Sequence, residues 1–148
     1  MAISKIAAIE HTVQLTHEWL NQLSERLDWP DTQRSYRVMR AVLQALRDWL
    51  PVNEAVHLGA QLPLLVRGIY FEGWHPAKTP VKERDLDDFL TRVQHAFESD
   101  PLQDPVEAVA AVFWLLDTRV SEGEIDDVRG SLPHPLAELW PQSDSNGT

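Results

Sequence analysis

Residues 41–54 read AVLQALRDWLPVNE, and residues 111–124 read AVFWLLDTRVSEGE. Each stretch places apolar residues at helical spacing and ends in a glutamate. When residues 16–70 are laid over residues 86–140, the two segments stay in one register without a gap. Identical pairs include Ala41 with Ala111, Leu46 with Leu116 and Glu54 with Glu124. The sequence therefore predicts an internal repeat of about 70 residues, which is typical of a duplicated structural unit.

Apolar stripes at helical spacing predict two amphipathic helices in each unit. The first helix carries Leu15, Trp19, Leu23 and Leu27 in unit one, and Leu86, Phe89, Leu90, Val93 and Phe97 in unit two. The second, central helix carries Val38, Val42, Ala45, Leu46 and Trp49, and in the other unit Val109, Val112, Phe113, Leu116 and Val120.

Capping residues predict where several helices begin. Asp85 is the expected N-cap of the first helix in unit two, and Asp104 followed by Pro105 predicts the start of the next. A short third helix is expected after Leu50-Pro51 and after Ser121. Ser121 and Glu124 have the Ser-x-x-Glu form of a capping box, in which each side chain accepts a hydrogen bond from the other residue's backbone N–H. Pro63 and Pro133 are expected to start a fourth helix or turn.

These patterns predict an all-α helical bundle of two tandem repeats, about four helices each, related by an approximate two-fold axis. A unit of about 70 residues buries too little apolar surface to be stable by itself, so the halves are expected to share one core. Repeat one spans roughly residues 12–71 and repeat two roughly residues 85–141, within one domain of residues 1–142. The polar segment 143–148 is expected to be disordered.

Charge and composition exclude several classes of partner. The net charge of -10 opposes binding to nucleic acid and to anionic membranes. The chain contains no cysteine, and no stretch resembles a signal peptide or a membrane span, so a cytoplasmic location is expected.

Several separated motifs resemble one known family. They are residues 41–48 (AVLQALRD), 61–63 (QLP), 70–76 (YFEGWHP), Gly123-Glu124, 127–129 (DVR) and Leu132-Pro133. In this order and spacing they resemble the bacterial family known as domain of unknown function 2267, over nearly the whole chain. The resemblance implies an α-helical bacterial protein, and it brings no established activity, ligand or catalytic residue.

A Glu-x-x-His pair on the third helix is the first candidate site. Glu54 and His57 have the (i, i+3) spacing by which helical bundles present two ligands to a metal, and the repeat places Glu124 and Asp127 at the equivalent positions. A two-fold axis that joined the pairs would suit iron, manganese or zinc. The alternative is that the glutamates cap helices and that the other side chains lie on a solvated face.

The loop between the units, residues 71–80, holds a second candidate. Trp74 and His75, followed by Pro76, could line a small-molecule pocket. The alternative is that Trp74 fills the seam between the repeats while Pro76 fixes the chain.

The six tryptophans divide by position. Trp19, Trp49 and Trp114 lie on or beside the apolar stripes and are expected to pack in the core. Trp29, Trp74 and Trp140 lie near the ends of elements, where partial exposure would suit contact with a partner.

No phosphate-binding loop, nucleophile elbow or His-Glu-x-x-His motif is present, so we predict no cofactor and a non-enzymatic role. The leading hypothesis is a module that binds a protein partner or a second copy of the chain through Trp29, Trp74 or Trp140. The alternative is a metal- or small-molecule-binding protein that uses Glu54, His57, Glu124 and Asp127.

Overall fold

The computed structural model describes residues 5–141, which form eight α-helices, two short 3-10 turns and no β-strand. The helices are α1 (Ala7–Leu27), α2 (Thr32–Trp49), α3 (Val52–Ala60), α4 (Leu64–Phe71), α5 (Leu86–Gln94), α6 (Pro105–Arg119), α7 (Glu122–Gly130) and α8 (His134–Ala137). The 3-10 turns are Pro76–Lys78 and His95–Phe97. The prediction of an all-α fold is confirmed for this part of the chain.

The two central helices, α2 and α6, contact each other, and α2 also contacts α1, α4 and α5. Every apolar residue predicted for the stripes of α2 and α6 is buried. They belong to one continuous core that also contains residues of α1, α3, α4, α5 and α7. Burial of the stripes against neighbouring helices, more than helix propensity, stabilises helices of this length.

The helix starts follow the predicted caps in part. The Asp104 side chain accepts a hydrogen bond from the Glu107 backbone N–H at 3.0 Å, and Pro105 is the first residue of α6, as predicted. Asp85 occupies the N-cap position of α5, but its side chain makes no capping hydrogen bond. The prediction for Asp85 is thus right in position and wrong in interaction.

Three helices, α1, α5 and α8, differ in their bounds or length from the predicted repeat units. α1 begins at Ala7, more than a turn before the expected boundary near residue 12. α5 ends at Gln94, where a 3-10 turn replaces its last α-helical turn, and α8 is only four residues long.

A buried arginine fixes the position of α4. The Arg47 guanidinium of α2 donates to the backbone carbonyls of Tyr70 at 2.9 Å and of Glu72 at 2.8 Å, and it also pairs with Asp48. Burial alone would raise the pKa of Asp48, but hydrogen bonds from Arg47 and Arg92 hold it below its usual value. α2, α4 and α5 are therefore joined through one charged network.

Tyr70 extends this network to α3. Its hydroxyl donates to the Ala55 carbonyl at 2.7 Å, and its side chain is fully buried. Cβ of a residue other than glycine at position 59 would lie 2.5 Å from Phe71 Cζ and 3.1 Å from Tyr70 Cε2. Gly59 therefore allows α3 to lie close to α4.

The connection between α4 and α5 contains several backbone hydrogen bonds. Phe71 belongs to α4, so the connection begins after it, and Pro76–Lys78 form one of the 3-10 turns. The Val81 backbone N–H donates to the Asp48 carbonyl at 2.9 Å, which ties the end of the connection to α2.

The expected disordered tail, residues 143–148, lies outside the described residues. Among the helices within residues 5–141, none combines the length and the apolar character that crossing a bilayer requires.

Candidate metal centre

The short helices α3 and α7 contact each other, although about 60 residues separate them in sequence. The Gln61 side chain, just beyond the end of α3, accepts a hydrogen bond from the Ser121 backbone N–H at 3.1 Å. The end of α3 therefore lies beside the start of α7.

Three side chains from these two helices converge. One carboxylate oxygen each of Glu54 and Glu124 and a ring nitrogen of His57 all lie within 4.8 Å of one another. Glu54 and His57 share a face of α3 because residues three apart are neighbours on a helix surface. The structure thus brings together three of the four residues that the sequence suggested as metal ligands.

Asp127 is the fourth, and it does not join the group. It is exposed, and it offers no oxygen within the set of mutually close donor atoms. Its negative charge is still near enough to raise the pKa of Glu124. The cluster therefore contains two carboxylates and one imidazole, instead of the three carboxylates and one imidazole that the sequence suggested.

The capping box expected at the start of α7 is only half formed. The Ser121 hydroxyl accepts a hydrogen bond from the Glu124 backbone N–H at 3.3 Å, as predicted. The return bond from the Glu124 side chain is absent, because the Ser121 N–H donates to Gln61 instead. The Glu124 carboxylate, in a residue that is 9% exposed, is free to face α3.

Glu54 does not cap α3 either. The residue three positions before it, Pro51, is the N-cap of α3 and has neither a hydroxyl group nor a backbone N–H. No capping box can form there, so neither glutamate side chain makes the reciprocal bond of a capping box, although both lie in the first turn of their helix, and His57 and Asp127 are exposed, as the alternative expects.

Both glutamates leave an oxygen without a partner. Oε2 of Glu54 and Oε2 of Glu124 are buried and accept no hydrogen bond from any described residue. A buried carboxylate oxygen without a partner destabilises a fold unless it is protonated or binds a cation. The geometry therefore provides a place where a positive ion or a proton is required.

The electrostatics of Glu124 agree with this picture. Burial, first of all, together with the neighbouring carboxylates of Glu54 and Asp127, raises the pKa of Glu124 to about 8, and the protonated acid can donate a hydrogen bond to Glu54. Without a cation, the Glu124 carboxyl group is expected to hold a proton near neutral pH.

The donor set suits a divalent transition metal. Carboxylate and imidazole ligands bind zinc, manganese and iron, with bonds of roughly 2.0–2.2 Å that place neighbouring donors about 3.0–3.5 Å apart. The donor atoms lie within 4.8 Å of one another, so the most distant pair would have to approach by roughly 1–2 Å to close around an ion.

The three tryptophans that were expected to be partly exposed differ in how deeply they are buried. Trp140 is 1% exposed and stacks on Phe113 with 3.9 Å between ring centroids, so the prediction that it is partly exposed is wrong. The repeat aligns Trp140 with Tyr70, which is also buried, and this was the signal for its burial. Trp19 and Trp49 are buried as predicted, and Trp114 is half-buried.

Trp29 and Trp74 are half-buried. Trp29 lines a surface cavity with Arg34, whose guanidinium lies 5.0 Å from the centre of the Trp29 ring. Trp74 packs against Phe71 with ring centroids 5.2 Å apart, and the neighbouring His75 is exposed. These contacts favour the interpretation of Trp74 as a packing residue.

Comparison with protein families gives one match. Residues 16–139 match the family described as an uncharacterized conserved protein, DUF2267. The chain belongs to this family. Comparison with curated proteins finds no relative. Membership in DUF2267 therefore brings no ligand or activity with it.

Two residues that support the cluster could not be identified from sequence patterns. The Gln61 side chain accepts the Ser121 N–H hydrogen bond that Glu124 would accept in a full capping box. The Tyr70 hydroxyl donates a hydrogen bond to the Ala55 carbonyl of α3. Both lie within the segments that carry the family resemblance, at residues 61–63 and 70–76. That position was the available signal, but it did not specify a contact with α3 or α7.

Proposed function

We propose that this DUF2267 protein binds one divalent transition-metal ion between α3 and α7, with Glu54, His57 and Glu124 as ligands. The observation that carries the proposal is the convergence of their three donor atoms within 4.8 Å, two of the residues coming from one helix and one from the other. Zinc, manganese and iron fit the donor set better than calcium or magnesium, which prefer oxygen ligands alone.

The burial of Glu124 supports this proposal over a merely acidic surface. Exposed acidic groups occur on most proteins and need no cation. Glu124 is 9% exposed, and its Oε2 has no hydrogen-bond partner. An ion at this point would satisfy both buried oxygens and neutralise the repulsion between the two glutamates.

The metal ion would join two halves of one duplicated structure. We propose that the bundle consists of two tandem repeats about an approximate two-fold axis. Two observations support this arrangement: α2 contacts α6 and α3 contacts α7, and the bounds of α3, Val52–Ala60, match those of α7, Glu122–Gly130, in the repeat register. Glu54 and Glu124 occupy equivalent positions in that register.

Calorimetric titration of the untagged protein with Zn²⁺ and Mn²⁺ at pH 8 tests the metal site. We expect one ion to bind per chain. We also expect Glu54→Gln and His57→Ala each to weaken binding by at least about tenfold, because each removes a direct ligand.

His134→Ala provides a matched control. His134 and Glu138 form an exposed pair, with 2.7 Å between Nε2 and Oε1, that resembles a weak surface metal site. We expect this variant to bind metal as the wild type does. Equal loss of affinity in His134→Ala and His57→Ala, or no binding by the wild type, would contradict the proposal.

The interaction hypothesis stays a prediction. Of its three tryptophans, Trp29 and Trp74 keep some exposed surface, whereas Trp140 does not. A cytoplasmic location, bacterial origin and the lack of affinity for nucleic acid also stay predictions, based on the sequence and its charge.

A further inference from the structure

The number of protein ligands at the cluster is three, which is fewer than a bound transition metal requires. Zinc has four ligands in most sites, and structural zinc sites take all four from the protein. Within residues 5–141, no further histidine, aspartate or glutamate joins Glu54, His57 and Glu124. An ion held by one atom from each of these three residues would therefore keep at least one coordination position that none of the described histidine, aspartate or glutamate side chains fills.

The exposure of the three side chains indicates which side of a bound ion would be open to solvent. Glu124 is buried, Glu54 is half-buried and His57 is exposed. The two carboxylates form the inner wall of the site, and the imidazole lies at its outer edge. The remaining coordination positions would face solvent, where a small molecule can exchange with water.

The charges around the ion select the kind of molecule that can enter. Two ionised glutamates offset the charge of a divalent cation, and Asp127, three residues after Glu124 on α7, brings a further negative charge to the same side of that helix. Sites built from three neutral histidines keep a positive charge and attract anions. This site would be neutral at the ion and negative once Asp127 is included, so it would attract anions much less.

Resting on the proposed metal binding, we propose that the ion keeps an open coordination position that takes a small neutral nitrogen or oxygen donor in preference to an anion. Imidazole represents the favoured class, because it is neutral above its pKa and is a good ligand for first-row transition metals. Azide represents the disfavoured class.

Absorption spectroscopy of the Co²⁺-loaded protein at pH 8 tests the proposal. Co²⁺ reports its coordination through visible d–d bands. We expect imidazole to shift these bands in a saturable manner while the cobalt stays with the protein on gel filtration. Azide should shift the bands only at a much higher concentration than imidazole does.

The variant Asp127→Asn separates the effect of charge from that of ligation. Its bands should equal those of the wild type in buffer, and its affinity for azide should rise by about two- to tenfold, because one nearby negative charge is removed. A change in the bands of Asp127→Asn before any addition would show that Asp127 closes the site, which would overturn the proposal.

Two further outcomes would also overturn it. Bands that appear with Co²⁺ but do not respond to imidazole would mean that the site is closed, although metal binding itself would stand. Azide binding more tightly than imidazole would show that the charge argument is wrong. Absence of any protein-bound Co²⁺ bands would remove the metal site and this inference together.

Discussion

In metal-free solution, the Glu124→Gln variant is expected to be more stable than the wild-type protein at pH 9 and about equally stable at pH 5. The reason is the buried carboxyl group, whose pKa is raised to about 8 in the folded state from an ordinary value of 4.5. Glutamine is neutral at every pH and has nearly the shape of the protonated acid.

The direction of the pH dependence follows from proton binding. Between about pH 4.5 and pH 8, the folded wild type holds a proton at Glu124 that the unfolded chain releases. The free energy of unfolding therefore falls as pH rises through this window, and the stabilisation is complete only below it. At pH 9 the deficit relative to Glu124→Gln should be on the order of 1–3 kcal/mol, the usual cost of a buried polar group without a partner.

Urea denaturation at both pH values, in the presence of a chelator, measures this difference. Glu122→Gln is the matched control, because it removes the same charge from an exposed position of α7. We expect it to change stability by less than about 0.5 kcal/mol at either pH. If wild type and Glu124→Gln lost stability in parallel as pH rose, Glu124 would not hold a proton in the fold.

Added metal should offset the loss of stability of the wild type at high pH, and it should stabilise Glu124→Gln much less. A saturating concentration of Zn²⁺, 100-fold above the dissociation constant, would stabilise the folded state by about 2.7 kcal/mol. Because the carboxyl group must lose its proton to bind metal, this stabilisation should be larger at pH 8 than at pH 6. Glu124→Gln should gain much less.

Trp140→Ala is expected to destabilise the protein by about 3–5 kcal/mol, the range for deleting a large buried aromatic side chain. Trp140 is 1% exposed and stacks on Phe113 with an interplanar angle of 13°. Its loss would leave a cavity against Phe113 of α6.

Urea denaturation again measures the change, with Trp114→Ala as the control. Trp114 is half-buried and lies under Arg26, whose guanidinium carbon is 4.5 Å from the ring centre. Its removal should cost clearly less than removal of Trp140. A Trp140→Ala protein as stable as the wild type would instead support the original expectation that this side chain contacts a partner.

The helices could be predicted from the sequence because their determinants are local. The stripes of α2 and α6 were read from apolar spacing, and all their residues are buried. Asp104 and Pro105 marked the start of α6 correctly, since a cap depends only on the residues next to it. The repeat register placed Glu54 and Glu124 at equivalent positions, and a two-fold axis was the condition under which their helices would meet.

At the candidate site and at Trp140, the direction of the side chain depends on contacts that are distant in sequence, and sequence patterns did not predict these contacts. Ser121 and Glu124 have the sequence of a full capping box, but Gln61 supplies the competing acceptor from the end of α3. The position of Trp140 near the end of a predicted element indicated partial exposure, whereas packing on Phe113 buries it. Asp127 belongs to the motif by spacing but lies outside the donor group, on an exposed position.

Crystals grown with Zn²⁺ and measured at the zinc absorption edge would test the central claim most directly. We predict one strong anomalous peak between α3 and α7, about 2.0–2.2 Å from a carboxylate oxygen of Glu54, a carboxylate oxygen of Glu124 and a ring nitrogen of His57. An anomalous peak found only at exposed pairs such as His134 and Glu138, with no density between the two helices, would contradict the claim.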